Sequence, residues 1–186
     1  MSLGLSPSQT VGPYLAIGLL WPDGSDVVPK GTPGAIRISG LLFDGNGAVV
    51  PDGLIETWQA DPDGRFDHPD DPRGAVRREE FRGFGRCPTA PDGSWTIRTL
   101  KPGPVPASDG SLLAPHIDVS IFARGLLDRV VTRIYFGDEP ELNAADPVLA
   151  AVPAERRHTL IAQPTDTSYQ LDLRLQGEDE TVFFVV

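Results

Sequence analysis

Cysteine is almost missing from this sequence: Cys87 is the only one in 186 residues, so no internal disulfide is available. The opening "MSLGLSPSQT" shows neither the basic start nor the apolar centre of a secretory signal. Both absences predict a soluble protein of a reducing cytoplasm. There is no long apolar run, which removes a membrane span. Positive charge is also scarce, 16 Lys and Arg against 26 Asp and Glu, and the net charge of -10 repels phosphate backbones and anionic lipid surfaces. Nucleic acid and membranes are therefore not expected as partners. The chain has no internal repeat, no glycine-rich phosphate loop, no Gly-x-Ser-x-Gly elbow and no His-Glu-x-x-His pattern.

What is plentiful is turn chemistry. The 20 Gly and 19 Pro are too many for a helical protein and favour an all-β chain. With 40% hydrophobic residues, 1–186 suits one domain with a sizeable core. "AIRISGLLF" (Ala35 to Phe43) runs into "DGNG", which supplies the positive φ angles of a tight turn, and "VV" and "LIETWQA" are expected to continue it as a first hairpin. Further strands are expected at "SWTIRTL", "HIDVSIFA", "VVTRIYF", "HTLIA" and "YQLDLRL", with Tyr169, Leu171, Leu173 and Leu175 of the last pointing inward. One short helix is announced by Asp146 as N-cap and Pro147 as first helical residue of "DPVLAA". The expectation is a β-sandwich with long loops and a short helix. Two stretches lack a pattern. Residues Ala60 to Pro91 read as a long loop, and loops of that length are usually functional or disordered. The N-terminal segment, about 1–14, reads as an arm.

The chemistry-bearing feature is "APHIDVSIF", where His116 and Asp118 share one face of a strand and could converge on one ion or one proton. Equally, the two could satisfy each other's hydrogen bonds. His68 and His158 stand at no fixed spacing from them. From the residues alone both readings stay open.

Six segments in order carry a resemblance over nearly the whole chain: "SPSQTVGPY", "DGNGAVVPDGLIETWQADPDGRF", "TLKPGP", "APHIDVSIFARG", "TRIYFGDE" and "QGEDETVFF". The chain resembles the intradiol ring-cleaving dioxygenases, and within them the iron-free chain of the two-chain enzymes. The resemblance implies a β-sandwich and, in catalytic members, ferric iron held by two tyrosines and two histidines. Aligned by flanking residues, Phe66 and Val105 take the tyrosine places, His116 keeps one histidine and Asp118 replaces the other. A phenyl or isopropyl group cannot coordinate a hard trivalent ion, so this chain is expected to bind no metal and to carry a relic of the site. The alternative is a re-purposed site made of His116, Asp118 and His68.

The resemblance further implies a homologous partner chain, the beta subunit, that holds Fe(III), with a pocket for protocatechuate and O2 where the two chains meet. Thr10, Gly12 and Pro13 of the arm and Arg124 of "FARG" are expected to line that pocket. Gly12 lets backbone approach a flat ring, Pro13 gives a rigid wall, Thr10 a small hydroxyl and Arg124 a fork for a carboxylate. No catalytic residue is expected in this chain alone. Trp58, Trp95 and Phe84 read as core or interface bulk. The competing reading from another class is a metal-free binding module that merely shares the sandwich fold.

Overall fold

The computed structural model describes residues 12, 17–74, 76, 78, 80–107 and 110–185. Among these the strands are β1 (Ala35–Phe43), β2 (Leu54–Trp58), β3 (Phe84–Pro88), β4 (Ser94–Leu100), β5 (Val105–Pro106), β6 (Leu112–Leu113), β7 (His116–Phe122), β8 (Val130–Phe136), β9 (Ile161–Pro164), β10 (Ser168–Gln170) and β11 (Leu173–Arg174). Two short helices, α1 (Pro140–Ala145) and α2 (Pro147–Ala151), and a 3-10 helix (Ala154–Leu160) lie between β8 and β9.

β1 shows why the chain pairs as it does. Its alternation puts Ile38 and Leu42 inward, and both are essentially inaccessible to solvent. β4 flanks β1 antiparallel, while β10 and β11 flank it parallel as two halves of one line. At the break between the halves the carbonyl of Leu171 presses against Gly40, where a Cβ would stand 1.8 Å from that oxygen. Only glycine fits there. The lost ladder bond is replaced by a side chain: Leu41 donates its N–H to Asp172 Oδ1 at 2.9 Å. From β10 the sheet continues through β9, β8, β7 and β2 to β3. β3 then comes back to β4, where the Thr96 N–H approaches Cys87 Sγ at 3.4 Å, so the sheet almost closes on itself.

The core between the two layers gathers Ile38, Leu42, Ile55, Trp95, Ile97, Ile117, Val119, Ile121, Ile134, Phe136 and Leu173. Each fully buried aliphatic side chain of this kind contributes about 1.5 to 3 kcal/mol. A second, smaller apolar cluster of Ala114, Tyr135, Leu149, Val152 and Leu160 seats the helices on the outer face of β7 and β8. Asp146 caps α2 as expected, accepting the N–H groups of Val148 and Leu149.

The all-β sandwich expectation holds, and the outcome differs from it in particulars. The "DGNG" turn forms, with Val50 N–H donated to Leu42 O, but "VV" contributes only a bridge between Phe43 and Val49. β2 does not pair with β1; it crosses to the other layer, between β3 and β7. The expected loop Ala60 to Pro91 contains β3, and "HTLIA" is 3-10 helix up to Leu160, with strand only from Ile161. Helix α1 is additional to the single helix expected.

Candidate functional site

Two tight loops interlock at one end of the sheet. In "DPDGRF" the Asp61 side chain accepts the N–H groups of Asp63 and Arg65 at 2.9 Å each, while Gly103 of "KPGP" donates its N–H to the Asp61 carbonyl at 2.9 Å. The approach is too close for side chains: a Cβ on Gly64 would meet Pro104 O at 2.2 Å, and one on Gly103 would meet Pro62 O at 2.3 Å. The residues that follow each loop, Phe66 and Val105, are thereby delivered to a common groove of about 880 Å³.

The groove is aromatic and pinned from below. Phe66 stacks on Trp58 with centroids 5.9 Å apart and planes 9° apart, and His68 sets its edge on the same indole at 6.5 Å. Phe66 N–H is held by Asp71 Oδ2 at 2.8 Å, and Asp71 in turn takes a two-pronged bond from Arg73 at 2.9 and 2.7 Å. That fork, helped by the backbone donors of Phe66 and Arg73, holds the Asp71 carboxyl well below the usual carboxylate range despite its burial. Pro72, Pro106 and Ala107 complete the walls.

His116 and Asp118 sit on the same sheet face as Trp58, whose cross-strand partner is Asp118. Opposite them on β8, His116 faces Tyr135 and Asp118 faces Arg133. His116 is 4% exposed, with Nδ1 2.7 Å from the Ala114 carbonyl oxygen. Burial first, and the Arg133 guanidinium second, hold its imidazole below the ordinary value, against the opposing pull of Asp118 and Asp146. Asp118 accepts from Arg133 Nε at 2.8 Å. The Tyr135 hydroxyl, raised in pKa chiefly by burial, donates to Asp146 Oδ1 at 3.2 Å. His116 and Asp118 therefore do not simply satisfy each other's hydrogen bonds. Each has its own partner.

The ferric ion implied by the resemblance does not fit these residues. Phe66 and Val105 bring no donor atom, Asp118 is occupied by a guanidinium, and His116 alone cannot balance a trivalent charge. The re-purposed alternative is not supported either: among the described residues no three His, Cys, Asp or Glu side chains are grouped to hold a metal ion.

Of the expected pocket residues, Gly12 and Arg124 are among those described. Thr10 and Pro13 lie outside the described residues. Gly12 has φ +64°, a backbone conformation that suits glycine. Arg124 follows the far end of β7, about 25 Å from His116 by strand rise, with a side chain 73% exposed and its Nε 3.0 Å from Asp52 Oδ2. Of the bulk aromatics, Trp95 is core, Phe84 stacks on Trp21, and Trp58 instead lines the groove. Sequence reasoning missed Arg133. Its signal was a lone cation in apolar "VVTRIYF", matching the lone Asp118 of "HIDVSIF".

A family model described as dioxygenase (Dioxygenase_C) matches residues 23–177. The chain is 43% identical to a protocatechuate 3,4-dioxygenase alpha chain of Burkholderia cepacia, covering 100% of this chain and 99% of the relative. It is also 34% identical to the beta chain of the same enzyme from that organism, over 84% of this chain and 71% of the relative. Among solved structures, the dioxygenase domain of a dioxygenase and carbohydrate-binding fusion protein from Streptomyces sp. SirexAA-E superimposes with a TM-score of 0.60 at 27% identity, covering 92% of this chain and 97% of that one. Fold and sequence together make the chain a member of the intradiol ring-cleaving dioxygenase family.

Proposed function

We propose that this chain is the iron-free alpha subunit of a two-chain dioxygenase that opens protocatechuate, 3,4-dihydroxybenzoate, between its hydroxylated carbons to give 3-carboxy-cis,cis-muconate, both atoms of O2 entering the product. One observation carries the reading: Phe66 and Val105, which the resemblance aligns with the ligand tyrosines, line a common groove and have hydrocarbon where an oxygen donor is needed. Fe(III) then belongs to the homologous beta subunit, whose counterpart in Burkholderia cepacia is itself a relative of this chain. Iron supplies activation of the substrate there.

This chain's own part is assembly, a wall of the pocket and discrimination between substrates. The arm, residues 1–14, brings Thr10, Gly12 and Pro13 to the beta subunit, and Arg124 offers its guanidinium to the substrate carboxylate. The Arg124–Asp52 pair is solvent-exposed, and such pairs are worth only about 0 to 1 kcal/mol, so exchange of Asp52 for a substrate anion is inexpensive. Among the described residues no helix is long and apolar enough to cross a membrane. We place the assembly in the cytoplasm, where a lone thiol stays reduced.

Co-expression with a similar chain that carries two Tyr and two His ligands tests the reading. The two chains should co-purify as an iron-loaded, active complex, and this chain alone should be colourless and inactive. A lone chain with tyrosinate-to-iron colour, or two chains that never associate, would sink it and favour the binding module.

A further inference from the structure

The cation beside the former ligand positions is supplied by the chain itself. Arg133 of β8 stands directly across from Asp118 of β7, and its Nε donates to Asp118 Oδ1 at 2.8 Å. Its side chain is only 20% exposed, and Nη1 is sealed from solvent with no hydrogen-bond acceptor among the described residues. The same guanidinium interacts with the Tyr135 hydroxyl and bears on His116, the neighbour of Asp118 on the strand face. One positive charge thus acts on His116, Asp118 and Tyr135 together.

The geometry points to Arg133 as a built-in replacement for the metal: a guanidinium occupies the charge position that a ferric ion would need, and so locks this chain in a metal-free state. It rests on the correspondence of Phe66, Val105, His116 and Asp118 to ligand places, and not on the partner reading. Stability alone does not call for a buried arginine here, because half-paired buried ions are generally no better than well-packed apolar groups. Nor is the arginine fully satisfied, as its bare Nη1 shows. What the cation does achieve is balance. Asp118, beside the buried His116, would otherwise have no partner of opposite charge, and Arg133 supplies that charge. It also repels any multivalent cation at close range, where partial burial weakens screening.

The test uses the full chain, with ferric ion as probe and tyrosinate absorbance as readout. In a background of Phe66→Tyr, Val105→Tyr and Asp118→His, the chain that retains Arg133 should stay colourless or bind weakly. Adding Arg133→Gln should tighten binding at least about 100-fold. Arg133→Lys in the same background keeps the charge and should stay refractory. Equal affinity with and without Arg133, no iron in the Arg133→Gln variant, or iron uptake by the Arg133→Lys variant would each overturn the proposal. If the triple background does not fold, Asp118→His with and without Arg133→Gln is titrated with Ni2+ and read by calorimetry; binding should be tighter without Arg133, and equal affinity rejects the idea.

Discussion

The carboxylate of Asp146 accepts the backbone N–H of Ala114 at 2.8 Å, across 32 residues of chain. Its other oxygen takes the N–H groups of Val148 and Leu149 and the Tyr135 hydroxyl, so one fully buried side chain fastens the first turn of α2 to the approach of β7. Asp146→Ala removes the acceptor of four donors, three of them buried, and should destabilise the chain by about 3 to 5 kcal/mol, read from urea unfolding. Asp146→Asn keeps the shape and should cost clearly less. Equal losses would mean that packing, and not the charge-assisted bonds, matters there.

Acid should loosen the same region. The folded chain holds the His116 imidazole below its ordinary value of 6.5, so the unfolded chain is the better proton acceptor. Stability is therefore complete above pH 6.5 and declines as pH falls below it toward the folded value. Urea midpoints at pH 8, 6.5 and 5 should show the decline, and His116→Gln should flatten that portion of the curve. A parent chain with equal midpoints at pH 6.5 and 5 contradicts the expectation.

The interlocked loops predict a graded response to one methyl group. Gly64 has φ +75° and no room before Pro104 O, so Gly64→Ala should cost about 2 to 3 kcal/mol and displace Phe66 from Trp58. Near-ultraviolet circular dichroism reports the stacked pair and should weaken. Gly110→Ala, at φ +85° but with open space around it, pays the backbone strain without the clash and should leave that signal intact.

In the reconstituted complex Arg124→Ala should lower the use of protocatechuate more than that of uncharged catechol, by about 1.5 to 3 kcal/mol if the guanidinium bonds the carboxylate. Steady-state comparison of kcat/KM for both substrates measures it. Matching losses would leave Arg124 with its Asp52 partner and no part in recognition.

Much of this architecture was readable because a period of two survives in its strands. "YQLDLRL" puts Tyr169, Leu171 and Leu173 inside as its alternation says, with Leu175 packed against the same core. The Asp146–Pro147 pair likewise wrote the start of α2 in local chemistry. Partner choice was not local. "DGNG" specifies a turn, and nothing in it tells β2 to leave β1 for the other layer. β3 escaped notice because "FGRCP" offers Gly, Arg and Pro where a strand pattern needs alternation, and its pairing with β2 supplies what propensity lacks. The site was half legible: substitutions at Phe66 and Val105 are visible once flanking residues align them, whereas the ion pair of Asp118 with Arg133 depends on a strand register that only the fold discloses.

The close fit of Gly40 under the Leu171 carbonyl carries a timing problem for the living cell. β1 finds one flank in β4, but its other flank lies about 130 residues downstream, as the 131-residue span from Leu41 to Asp172 shows. At translation rates of roughly 5 to 20 residues per second, the nascent chain waits roughly 7 to 26 s with that edge unpaired. Through that interval Ala35–Phe43 is an open template for another strand, its own sibling on a neighbouring ribosome included. Emergence of Ser168–Arg174, rather than any early step, is thus when this edge first becomes safe from mispairing.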